Sequence, residues 1–264
     1  MCKIGEGRAE NARPSLLRRI NREKMQRDEL APNVFPARSF YPGLLPTMGL
    51  IISYFALQGV CTGLIIAATQ GDLTTPAPMS IIAGLAASAI AQLMLMWLYL
   101  RKNGRMEALG LYHFGSIPLH KATGLAISLV AAAMAFNFVY AHYVIPDIGM
   151  QDDMAKILAD IDRTPLNMAT TFFAIAIAAP IVEELLFRGL LQNALGKYVP
   201  VWGAILLSSL LFALVHLQLY AIPALMTLSI AFGYLYHRTG SLRTNIILHM
   251  ANNVFALVMT QFVN

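Results

Sequence analysis

Charge punctuates this chain into long apolar blocks. No Asp, Glu, Lys or Arg occurs in Ser39–Gly71, Leu73–Leu100, Ala122–Pro146, Thr164–Val182, Tyr198–His237 or Thr244–Asn264. A helix crossing a bilayer needs about 20 mostly apolar residues, whereas strands of a membrane barrel are near 10 residues and alternate. The blocks therefore predict helices. Tyr198–His237 is long enough for two, and Pro223 near its middle suits the break. Seven spans are predicted, near 47–69, 79–100, 122–145, 166–189, 201–218, 222–237 and 246–263. An eighth helix, lying in the interface, is allowed near 151–163. The expected fold is an all-α, polytopic helical bundle in the membrane.

Composition strengthens that reading. The chain is 57% hydrophobic and 12% charged, against roughly 25% charged residues in soluble domains. The first apolar block begins some 40 residues in, behind a polar segment, which is unlike a cleaved signal peptide. Cys2 and Cys61, one in the tail and one in a span, suggest neither a disulfide framework nor a Cys-based metal site. No internal repeat is evident, which counts mildly against the inverted-repeat architecture of secondary transporters.

Charge placement divides and orients the chain. Residues 1–40 hold nine of the 19 Lys and Arg, with five acids mixed in. They read as a basic cytoplasmic tail that fixes topology, and no nucleic-acid partner is needed to explain them. Residues 41–165 would form the N-terminal transmembrane helices, and 166–264 the core that carries the chemistry. Arg101, Lys102, Arg105 and Lys121 crowd one loop, while Asp147, Asp152, Asp153, Asp160 and Asp162 make the next acidic. Basic and non-basic loops alternate, so the N-terminus is expected inside and the C-terminus outside.

Polar groups at membrane depth are functional candidates by default. Glu183 and Glu184 directly follow 19 uncharged residues, although a helix end surfacing in water would also explain them. Glu184 and Arg188 are four apart with the acid first, the favourable order for a helical ion pair. Glu183 lies about 100° around the helix and has no such partner. His216 follows in the next span. If the helix bearing Glu183 continues to Leu195 and turns at 196–200, Glu183 and His216 return to depths within about 5 Å of each other. That argument favours the longer helix and places Glu183 inside the inner leaflet, open toward the cytoplasm. His249 and Asn253, also four apart, share one face of the last helix. Asn252 points elsewhere. Buried polar groups on three apolar helices need partners within the bundle, and these could satisfy one another. Gly63, Gly84 and Gly124 are expected to allow close helix packing.

Three motifs stand in order here: EExxxR as Glu183-Glu184 to Arg188, FxxxH as Phe212 to His216, and HxxxN as His249 to Asn253. In these the chain resembles the CAAX protease and bacteriocin-processing enzyme family, also called Abi, over roughly residues 166–264. The resemblance implies peptide-bond hydrolysis within the membrane, on a prenylated CAAX C-terminus or on small peptides. In a metal-free scheme Glu183 is the base and His216 positions the water, while His249 and Asn253 stabilise the oxyanion. Glu184, Arg188 and Phe212 support them. In a second scheme zinc sits on Glu183, His216 and His249. Asn253 fits the metal-free scheme better, as an amide donor, but the residues leave both open. Two other classes also remain open: a non-enzymatic immunity or scaffold protein that uses the polar trio for helix packing, and a transporter with Glu183 as its proton site.

Overall fold

The computed structural model describes residues 43–69, 76–103, 109–111, 115, 117–144 and 152–263. The basic tail expected over residues 1–40 lies outside the described residues. The fold is helical, with no strand among the described residues. In chain order the helices are α1 Leu44–Thr69, α2 Pro78–Asn103, α3 Leu119–Tyr143, α4 Asp152–Ala159, α5 Pro165–Leu195, α6 Val201–Leu214, α7 Ile222–Thr239 and α8 Leu242–Val263.

Prolines and one glycine set the boundaries. Pro165 stands in the first turn of α5, behind Thr164, whose side chain accepts from the Asn167 N–H. Pro118 and Pro200 precede α3 and α6. Pro223 stands in the first turn of α7, at the break predicted from sequence. These placements use a residue whose missing N–H costs nothing at a helix start. Gly240 closes α7 in the left-handed conformation (φ 68°), its N–H reaching the Tyr236 carbonyl.

Among the described residues, seven apolar helices thus stand where the charge-free blocks predict them. Five stretches are long and apolar enough to cross a bilayer unaided: Leu44–Thr69, Pro78–Arg101, Leu119–Tyr143, Pro165–Leu195 and Leu219–Thr239. Helix α6, at 14 residues, rises only about 21 Å against a hydrocarbon core of about 30 Å. Helix α8 carries Asn245, His249, Asn252 and Asn253 along an otherwise mostly apolar sequence. The eighth helix allowed by the sequence is α4, which at eight residues is too short to be a span.

Helices α1 and α2 form a close antiparallel pair, and α5 packs against both α2 and α8. At Gly84 an added Cβ would collide with Thr62 of α1, whereas Gly63 and Gly124 have nothing within 4 Å of that position. Of the three glycines expected to mediate packing, only Gly84 does so. Where the pair meets, Gln92 donates to the Leu50 carbonyl (2.9 Å) and accepts from Ser53 (3.1 Å). The main core gathers Tyr54, Val182, Leu186, Phe187, Phe212, Tyr236 and Leu242 around α5. Helix α5 therefore runs through the centre of the molecule, buried along residues 184–194.

Candidate active site

Helix α5 is not uniformly wound. Residues Phe172–Ala178 and Leu185–Gln192 form wide π-type turns on either side of the α-helical Ala179–Glu184. Such turns are rare and concentrate at functional sites. The Ala179 N–H bonds the Ala174 carbonyl, five residues back. In that register the next donor would come from residue 180, which is a proline. The Ile175 carbonyl is bonded instead by the side-chain amide of Asn253, at 3.0 Å.

Glu184 is fully buried and fully occupied. Its Oε1 lies 2.9 Å from Arg188 Nη1 and 2.9 Å from His249 Nδ1, and its Oε2 accepts from Asn245 Nδ2 at 3.2 Å. Arg188 Nη2 donates to the Ser229 carbonyl and hydroxyl, at 3.1 and 3.0 Å. The guanidinium also lies over the rings of Phe212 and Phe232. The ion pair predicted from the four-residue spacing is present, and it anchors α5 to both α7 and α8.

Glu183 contrasts with its neighbour. Its side chain is 18% exposed and makes no hydrogen bond among the described residues. Its Oε2 faces His249 Nε2 at 3.7 Å, inside ion-pair range but beyond a hydrogen bond. His249 therefore stands between the two carboxylates. Its bond to Glu184 fixes the ring, in the manner of an outer carboxylate orienting an imidazole.

His216 is not in the helix where the sequence reading put it. Helix α6 ends at Leu214, and His216 lies in the turn beyond, before Leu217 takes a left-handed φ of 58°. The last carbonyls of a helix lack backbone donors. His216 Nδ1 supplies one to the Phe212 carbonyl at 2.7 Å. A carbonyl can only accept, so Nδ1 carries a proton and Nε2 is the ring nitrogen not used in this bond. The Phe212 ring packs edge-on to Phe187 (5.1 Å) and beside His216 (4.8 Å), with His249 at 6.4 Å. The Phe187–Phe212 contact sets the register of α5 against α6. Four residues from Phe187 and Phe212 along their chains stand Glu183 and His216.

The polar groups do not all satisfy one another as expected. His249 pairs with the carboxylates, while Asn253 pairs with the backbone of α5 and makes no bond to His249 among the described residues. Asn252 donates weakly to Asn253, at 3.4 Å. Three contributors were not foreseen: Asn245, Ser229 and Tyr54. Asn245 was within reach, since it precedes His249 by four residues and continues the face of His249 and Asn253. Ser229 was not, because nothing in α7 marks one serine over another. Tyr54, buried in α1, lies within electrostatic reach of Glu183.

A carboxylate and two imidazoles with open Nε2 atoms are the right donor types for zinc. Among the described residues, however, no group of three His, Cys, Asp or Glu gathers at metal-binding range. Glu183, His216 and His249 are therefore not gathered as a three-ligand zinc shell among the described residues.

Long apolar helices with an inward-facing ionic cluster define an integral, multi-pass membrane protein. The family model described as type II CAAX prenyl endopeptidase Rce1-like matches residues 165–255. A Bacillus subtilis (strain 168) protein named "Putative membrane peptidase YdiL" is 29% identical over 180 residues, covering 65% of this chain and 69% of its own. No solved structure matches significantly. Over residues 165–255, which carry all three motifs, the chain is thus similar to the CAAX protease and bacteriocin-processing enzyme family.

Proposed function

We propose that this protein is an intramembrane endopeptidase in which Glu183 activates water. The carrying observation is the inequality of two adjacent carboxylates. Glu184 is saturated by Arg188, His249 and Asn245, whereas Glu183 is partly exposed and unbonded beside an imidazole. A general base needs a free, positioned lone pair, and of the two carboxylates only Glu183 offers one.

In this mechanism Glu183 takes a proton from water as the water oxygen attacks the peptide carbonyl carbon. His216 Nε2, left free by the bond at Nδ1, orients that water. The carbonyl oxygen becomes an oxyanion, held by His249 Nε2–H and by the second N–H of the Asn253 amide. In this role His249 uses both ring nitrogens as donors, Nδ1 toward Glu184 and Nε2 toward the oxyanion. Glu183 then passes its proton to the departing amine as the C–N bond breaks. The site opens toward the cytoplasmic leaflet in this reading, on the side of Arg238 and Arg243. Substrates are peptides, either small or ending in a prenylated CAAX sequence; the family model's description supports the prenylated class.

Glu183→Gln, His216→Ala and His249→Ala are each expected to abolish hydrolysis of a farnesylated CAAX peptide and of small membrane peptides. All three variants should remain folded and membrane-inserted. Full activity in all three would remove the enzyme reading. Proton-coupled flux lost in Glu183→Gln would identify a transporter. Loss of thermal stability in that variant, with function retained, would identify a scaffold.

A further inference from the structure

We infer that Asn253 is a positioning residue whose side-chain amide replaces the backbone N–H that Pro180 lacks, so that α8 holds the wide turn of α5 that aims Glu183. In an unbroken α-helix the ring of Pro180 would clash with the carbonyl four residues back. Here the chain widens over Phe172–Ala178, and the Ala179 N–H shifts to the Ala174 carbonyl. The shift leaves the Ile175 carbonyl facing a residue with no donor. In a bilayer no solvent fills that role, and an unbonded carbonyl is costly. Asn253 Nδ2 sits 3.0 Å from this oxygen and comes from another helix. One face of α8 thus bonds α5 twice, through Asn253 ahead of Glu183 and through Asn245 and His249 at Glu184.

The wide turn matters because it sets rotational phase. Each residue added to or removed from a helix turns everything beyond it by about 100°. Glu183 lies eight residues past Ile175, and its approach to His249 depends on that phase. Closure of the wide turn to ordinary α-helix would swing Glu183 away from the imidazole. Asn253 therefore acts through Glu183, whether or not its second N–H also reaches the oxyanion. The catalytic half of this inference rests on the peptidase reading; the structural half does not.

A double-mutant cycle on the full chain in detergent tests it. Asn253→Ala should lower the melting temperature by about 3 °C or more. It should cut kcat at least about tenfold while KM stays within about twofold, since geometry rather than binding is lost. Pro180→Ala restores an N–H at the gap. The double variant Pro180→Ala/Asn253→Ala should therefore regain at least half of the lost melting temperature, and its kcat should rise at least about threefold above that of Asn253→Ala, the remaining loss being the oxyanion contact. Melting losses that simply add overturn the clasp. Recovery of melting temperature without recovery of kcat overturns the positioning role. If Asn253→Ala alone fails to accumulate in membranes, Pro180→Ala must restore accumulation, and failure to do so also overturns the inference. A wild type that hydrolyses no peptide defeats the peptidase reading, while the melting cycle still supports or overturns the clasp.

Discussion

Glu183 and Glu184 differ by one position and about 100° of helix, and that angle gives them different chemistry. Glu184 neutralises a guanidinium that is itself fully buried. Glu184→Gln removes the counter-charge and leaves Arg188 uncompensated, an arrangement that costs about 3–5 kcal/mol. Glu183→Gln breaks no hydrogen bond among the described residues and should change stability by less than about 1 kcal/mol. Denaturant unfolding in detergent measures both, and equal losses would contradict the division of labour. The Glu184–Arg188 pair was legible in the sequence because a four-residue spacing brings two side chains to one face of a helix. The partner of Asn253 was not legible: it is a backbone carbonyl exposed by a change of winding, and backbone atoms leave no trace in residue identity. His216 lay between these cases. Its level could be counted along the chain, but the end of α6 at Leu214 could not, since the apolar sequence runs on to Val215.

At the scale of elements, the charge-free blocks located the helices well because the bilayer demands long apolar segments and little else. Glycine roles were harder, since a glycine in an apolar helix looks the same on a crowded face and an open one. Gly84 meets Thr62 directly, whereas Gly63 and Gly124 face open space. Gly84→Val should force α1 from α2 and cost about 1–3 kcal/mol. Gly124→Ala should be neutral or stabilise by up to about 1 kcal/mol through helix propensity. Thermal melting of the two variants separates them, and a tolerated Gly84→Val would show that the α1–α2 contact is looser than described. The winding of α5 is the other feature unseen in sequence. Pro180 announced an interruption but not its form, because kinking, breaking and widening all relieve the same clash.

For the whole molecule, the shortness of α6 bears on how a hydrolase obtains its second substrate. A segment of 14 residues leaves roughly 9 Å of hydrocarbon unmatched. Lipid beside it must thin, or the turn carrying His216 must sit below the headgroups. Irregular backbone at that depth is tolerated only against protein or a wet cavity. Either outcome brings the aqueous phase toward Glu183 without a channel through the bundle. Hydration of the site then becomes a property shared between protein and bilayer, governed by hydrophobic mismatch. Turnover in vesicles should accordingly fall as acyl chains lengthen from 14 to about 22 carbons at constant headgroup, with kcat more affected than KM. Rates independent of chain length would mean that water reaches Glu183 wholly through the protein interior.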